Sequence, residues 1–109
     1  MMLNSCVIVG RVLKEAELKD GEYQLLLECN RPYRMEEGNI QKDIFSIKLW
    51  KGLAKQCQDL CTKGDILAVR GRLEGKSFKT NDEEQYLSHI VAEKISFVMV
   101  QGKSNGITF

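Results

Sequence analysis

The chain has 109 residues, 43% of them hydrophobic and 28% charged, with a formal net charge of +1. That length supports one core and not two; the composition is not that of a disordered chain, and no apolar run reaches the roughly 20 residues of a spanning helix. Near-neutrality argues weakly against a polyanionic partner, but Lys and Arg total 6 against 7 acids over residues 1–42, 8 against 4 over 43–79 and 2 against 4 over 80–109, and a local positive potential is what steers phosphate.

Residues 3–13 are expected to form a first strand, in which the run Val7, Ile8, Val9 suggests burial on both faces and Gly10 a bend. The polar stretch KEAELKDGE follows as a connection, and its Asp20-Gly21 pair is a turn signal. In the second strand Tyr23, Leu25, Leu27 and Cys29 alternate as a core face. Residues 31–42 then read as a long loop or projecting hairpin, because Pro32 and Gly38 interrupt regular pairing. Its Arg31, Tyr33 and Arg34 set cations beside a ring.

The third strand, 43–50, points Phe45, Ile47 and Leu49 one way and Ile44, Ser46, Lys48 and Trp50 the other, since successive side chains in a strand face opposite sides. In KGLAKQCQDLCTKG, Leu53, Cys57, Leu60 and Cys61 fall at helical spacing, and Lys63-Gly64 supplies a C-terminal cap signal. The fourth strand, 65–79, repeats the sorting: Leu67, Val69 and Leu73 go to the core, and Arg70, Arg72, Lys76 and Phe78 go outward. A turn in KTNDEEQ leads to a last strand in which Ile95, Phe97 and Met99 alternate, and residues 101–109 are expected to be a flexible tail. The order strand, strand, strand, helix, strand, strand is that of an all-β, five-stranded Greek-key OB-fold barrel with one helix between strands 3 and 4, spanning residues 1–100. A small sandwich with one helical connection would show a similar order.

Two strands that each present cations and a flat ring to solvent have the chemistry an unpaired nucleic-acid strand needs, phosphates for the cations and base faces for the rings. Catalysis finds no support. Cys57 and Cys61 could be half of a metal site, but His89 is the single histidine and Cys6 and Cys29 have no paired spacing, so structural thiols are the expectation. No nucleophile or carboxylate pair accompanies His89, and there is no glycine-rich phosphate loop. The expectation is therefore no catalytic residue, no metal and no cofactor.

Read in order, LNSCVIVGRV, NRPYR, KLWKGLAKQC and KGDILAVRGRLEGKSF resemble the blocks of the bacterial single-stranded DNA-binding protein family over residues 2–100. The resemblance implies a barrel over which single-stranded DNA wraps, stacking on Tyr33, Trp50 and Phe78. It implies phosphate contacts from Arg31, Arg34, Lys48, Arg70, Arg72 and Lys76, with Lys51 and Lys63 at the helix ends. It also implies a homo-oligomer, a tetramer by family habit, with a dimer as the alternative. Two features depart from the family. Ile44 stands where many members place an aromatic ring, and the ending QGKSNGITF lacks the family's acidic tail, which argues against tail-mediated recruitment of other proteins. The N-terminus has no positive region ahead of its apolar run, so a cytoplasmic protein without membrane association is expected. The competing readings are a primosome-type accessory barrel and an OB-fold protein-interaction module, in which the same rings and cations would serve an interface.

Overall fold

The computed structural model describes residues 2–34, Gly38 and 40–100, the side chains of Tyr33 and Arg34 excepted. The flexible tail expected over 101–109 lies outside the described residues. Strands β1 (Cys6–Lys19), β2 (Glu22–Arg34) and β3 (Ile40–Leu49) are followed by helix α1 (Lys51–Leu60) and strands β4 (Ile66–Thr80) and β5 (Glu83–Met99). They close into a barrel in the order β1-β2-β3-β5-β4, antiparallel throughout except where β3 meets β5 at Ile47 and Lys48. This is the five-stranded barrel with one helix between β3 and β4 that the element order suggests.

The interior is filled by alternate residues: Leu25 and Leu27 of β2, Ile47 and Leu49 of β3, Leu67 and Val69 of β4, and Ile90, Ala92 and Ile95 of β5. Helix α1 turns Leu53, Ala54 and Cys57 onto the barrel, and Gln58 donates to the Ala16 carbonyl of β1 at 3.1 Å. Closure needs glycine at one crossing, because a Cβ at Gly71 would meet the backbone of Val91 and Ala92. The β1–β2 and β4–β5 turns use left-handed residues, Asp20-Gly21 and Asn81-Asp82, the arrangement favoured by two-residue hairpin loops.

Several expectations are corrected. The KEAELK segment is strand, because β1 runs on to Lys19 and pairs Glu17, Leu18 and Lys19 with β2. Of the two readings of 31–42 the hairpin is the one that holds, as β2 reaches Arg34 and β3 begins at Ile40, with a register break between Asn30 and Arg34 where Pro32 has no amide hydrogen to donate. Val7 and Val9 are not buried but 67% and 56% exposed, with only Ile8 turned inward. Leu73, Leu60 and Met99 are exposed as well. Lys63-Gly64 is not the helix cap: Cys61 caps α1 in extended conformation, and the Thr62–Asp65 turn binds β1 through Gly64 N to Val12 O at 2.8 Å and Val12 N to Asp65 O at 2.7 Å.

Candidate nucleic-acid interface

The parity of β3 and β4 sets the site. On β3 the outward row includes Ser46 and Lys48 and ends in Trp50, which is 63% exposed in the N-cap position of α1. The six-membered ring of the indole lies over Gly52, so closely that a Cβ there would run into it. The ring is packed at the helix start, and much of its surface remains open. Pairing carries the row across the barrel: Lys48 stands beside Gln24 of β2 and Val91 of β5, and Val91 stands beside Arg72 of β4. A groove of ≈ 490 Å³ is lined there by Glu22, Lys48, Trp50, Lys51, Glu74 and Val91 among others.

Beyond Leu73 and Ile90 the β4–β5 hairpin leaves the barrel as a ribbon, pairing only with itself up to Thr80 and Glu83. Directly opposed residues share a face, so Lys76 and Leu87, and Phe78 and Gln85, lie on the side continuous with Arg72. Phe78 is 50% exposed and about 13 Å along the strand from Glu74. The other side of the ribbon carries Tyr86, 78% exposed, opposite Ser77. Tyr86 escaped the sequence reading, although its parity in β5 matches that of buried Ile90 and so puts it on the ribbon face opposite Phe78.

The cations separate into two groups. Lys48 is only 18% exposed, lies 3.0 Å from Glu22 Oε1 and 3.2 Å from Glu74 Oε1, and Glu74 reaches Arg72 at 3.6 Å. Hydrogen bonds to Glu22 and then Glu74 hold the Lys48 ammonium above its ordinary pKa, and the hydrogen bond from Lys48 holds the Glu74 carboxyl below its own. Arg31 binds Asp43 at 2.8 Å and Gln41 at 2.8 Å; Asp43 is seven residues, about 23 Å along β3, from Trp50. Lys51, Arg70 and Lys76 have no ion pair among the described residues. Arg70 stands opposite Val7 of β1 and Lys94 of β5, on the outer face that also carries Val9. Thus Trp50, Lys48 and Lys51 gather in one groove, with Arg72 at its edge through Glu74 and Val91 and Lys76 and Phe78 on its outward extension, while Arg31 and Arg70 stand apart. The side chains of Tyr33 and Arg34 lie outside the described residues.

Sequence reasoning missed Glu22 and Glu74. Both have outward parity, but each lies 26 residues from Lys48 in the chain, so only the closed barrel reveals the contact. The thiols are structural in setting. Cys57 and Cys61 are buried, Cys61 Sγ donates to the Cys57 carbonyl at 3.1 Å, and the neighbouring thiol together with burial pushes the Cys57 thiol up.

Comparison with known proteins bears on the family and the fold. The model of the "Single-strand binding protein family" matches residues 3–98. A "Single-stranded DNA-binding protein 3" of Listeria innocua is 30% identical over 96% of this chain and 68% of its own length, and a "Single-stranded DNA-binding protein 1" of Streptococcus pyogenes is 26% identical over 95% and 83%. Among solved structures, a Plasmodium falciparum protein in complex with single-stranded DNA superposes with a TM-score of 0.68 at 20% identity, covering 90% of this chain and 97% of that one. A small single-stranded DNA-binding protein of Streptomyces coelicolor gives 0.62 at 18% identity, covering 89% and 96%.

Proposed function

The chain belongs to the single-strand binding protein family, a family of binding proteins and not of enzymes, and on that premise we propose that it binds single-stranded DNA, without sequence preference, on the Trp50 groove and the ribbon that extends it. The observation that carries this reading is the exposed indole, seated on Gly52 at the end of a cationic row, with a second ring, Phe78, on the same side of the β4–β5 ribbon. Stacked bases contribute about 1 to 3 kcal/mol per ring, and every base has a face to stack, so affinity does not depend on sequence. Lys51 and Lys76 supply phosphate contacts beside the two rings. Such an activity serves strands exposed in replication, repair or recombination, which sets the protein in the cytoplasm with the DNA.

A second copy of the chain is the proposed partner of the β1 face. Val7 and Val9 are exposed on the outside of β1, and Cys6–Gly10 pair only with β4, leaving the other edge of this stretch without a strand. Unpaired edges and apolar patches of this kind call for covering. The family resemblance extends this to a tetramer, which mass measurement in solution decides.

Titration of Trp50 fluorescence with oligothymidine and with duplex DNA tests the binding reading. Quenching by the single strand and not by the duplex is expected, together with weaker binding by folded Trp50→Ala and Phe78→Ala proteins. Unchanged affinity in both variants would move the site elsewhere, and a silent titration with both DNAs would favour the protein-interaction module.

A further inference from the structure

The most exposed ring of the groove stands two residues from its least available cation. Lys48 sits at the centre of the outer row with Glu22 on one side and Glu74 on the other, and Glu74 also draws Arg72. A phosphate approaching Lys48 meets two carboxylates that already hold the ammonium. We infer that Glu22 and Glu74 are intramolecular competitors of the DNA backbone, setting the affinity and salt response of the Trp50 groove by keeping Lys48 and Arg72 out of phosphate contact. The inference rests on the binding reading above and adds the regulation of that site.

The chemistry is that of exchange. The Lys48 ammonium, the Arg72 guanidinium and two carboxylates sum to zero within one ion-pair cluster, so that cluster by itself offers a polyanion no net attraction. For Lys48 to take a phosphate, a Lys48–carboxylate contact must break, and the released carboxylate then stands beside the incoming phosphate as a like charge. The directions of the two titrations agree with a tight contact: the ammonium is held above, and the Glu74 carboxyl below, the ordinary range. Neutralising either acid with an isosteric amide keeps a hydrogen-bond acceptor for Lys48 but removes the competing charge.

The experiment compares oligothymidine binding by the wild type, Glu74→Gln, Glu22→Gln and a remote charge control, Glu17→Gln, at several salt concentrations, with folding checked by thermal melting. A newly available phosphate contact adds about −0.7 to the logarithmic salt slope, which at 0.1 M salt is an affinity gain of about fivefold. Glu74→Gln and Glu22→Gln are expected to show the gain and the steeper slope, and Glu17→Gln to show neither. Adding Lys48→Met is expected to abolish the gain in the Glu74→Gln background. If Glu74→Gln does not fold, Glu22→Gln carries the test with Glu74 intact. Wild-type binding with unchanged slopes in the acid variants, or a gain that survives Lys48→Met, overturns the competition and leaves the groove reading standing. Failure of every protein to bind overturns both.

Discussion

Gly52→Ala separates the ring's position from the stability of its support. The added methyl would occupy space now filled by the six-membered ring of Trp50, and the indole, as the end of a side chain, is what gives way. Alanine is otherwise the better helix residue by about 0.5 to 1 kcal/mol, so α1 should hold or gain stability while the indole swings out of its seat. If the seated ring is a stacking platform, the loss in binding is bounded by its contribution of about 1 to 3 kcal/mol, roughly a 5- to 150-fold weakening. Paired assays check this: oligothymidine titration for affinity, and thermal melting with Trp emission for stability and ring environment. Weakened binding with an unchanged or higher melting temperature is expected, and the substitution should add nothing in a Trp50→Ala background. Full affinity together with a shifted emission maximum would refute the reasoning, because the ring would then have moved without consequence.

Gly71→Ala is expected to act on the fold instead, since its Cβ would press on the Val91 and Ala92 backbone, which cannot rotate away; a loss of about 1 to 3 kcal/mol, read by urea unfolding, is the expected outcome. The Cys57 thiol, pushed up by its neighbour and by burial, should remain protonated and resist alkylation by iodoacetamide in the native protein at pH 8, whereas unfolding should expose it to rapid modification, as read by mass spectrometry.

Alternation in the sequence located the faces of the strands but not what covers them. Where β2, β3 and β4 enclose the interior, Leu25, Leu27, Ile47, Leu49, Leu67 and Val69 are buried as their parity demands. Leu73 has the same parity as Val69 yet is exposed, because β4 has there left the barrel for the ribbon. Val7 and Val9 show the converse: an unbroken apolar run means burial on both faces only if something lies on each, and among the described residues nothing covers their outer face. The KEAELK segment looked like a connection because Ala16 is its one fully buried side chain; register with β2 makes it strand. Trp50, Phe78, Lys48 and Arg72 were legible as outward residues, but the carboxylates that hold Lys48 arrive from β2 and β4.

That last gap changes how the cations count toward DNA binding. Affinity from phosphate contact comes from counterions set free into solution. Among the described residues Lys51 and Lys76 have no ion pair and can free DNA counterions more fully than Lys48 or Arg72. Lys48 and Arg72 cannot do so at full yield: when a phosphate displaces Glu74, the bared carboxylate gathers a cation of its own, and the net release approaches zero. Arg31, bonded to Asp43 and Gln41, faces the same exchange. The eight cations singled out from the sequence would together give a logarithmic salt slope of roughly −6, whereas Lys51 and Lys76, which lie beside the two rings, give about −1.5. On the proposed reading a groove so neutralised would draw more of its affinity from its rings, and the seat that Gly52 provides for Trp50 would then matter more than the number of lysines and arginines around it.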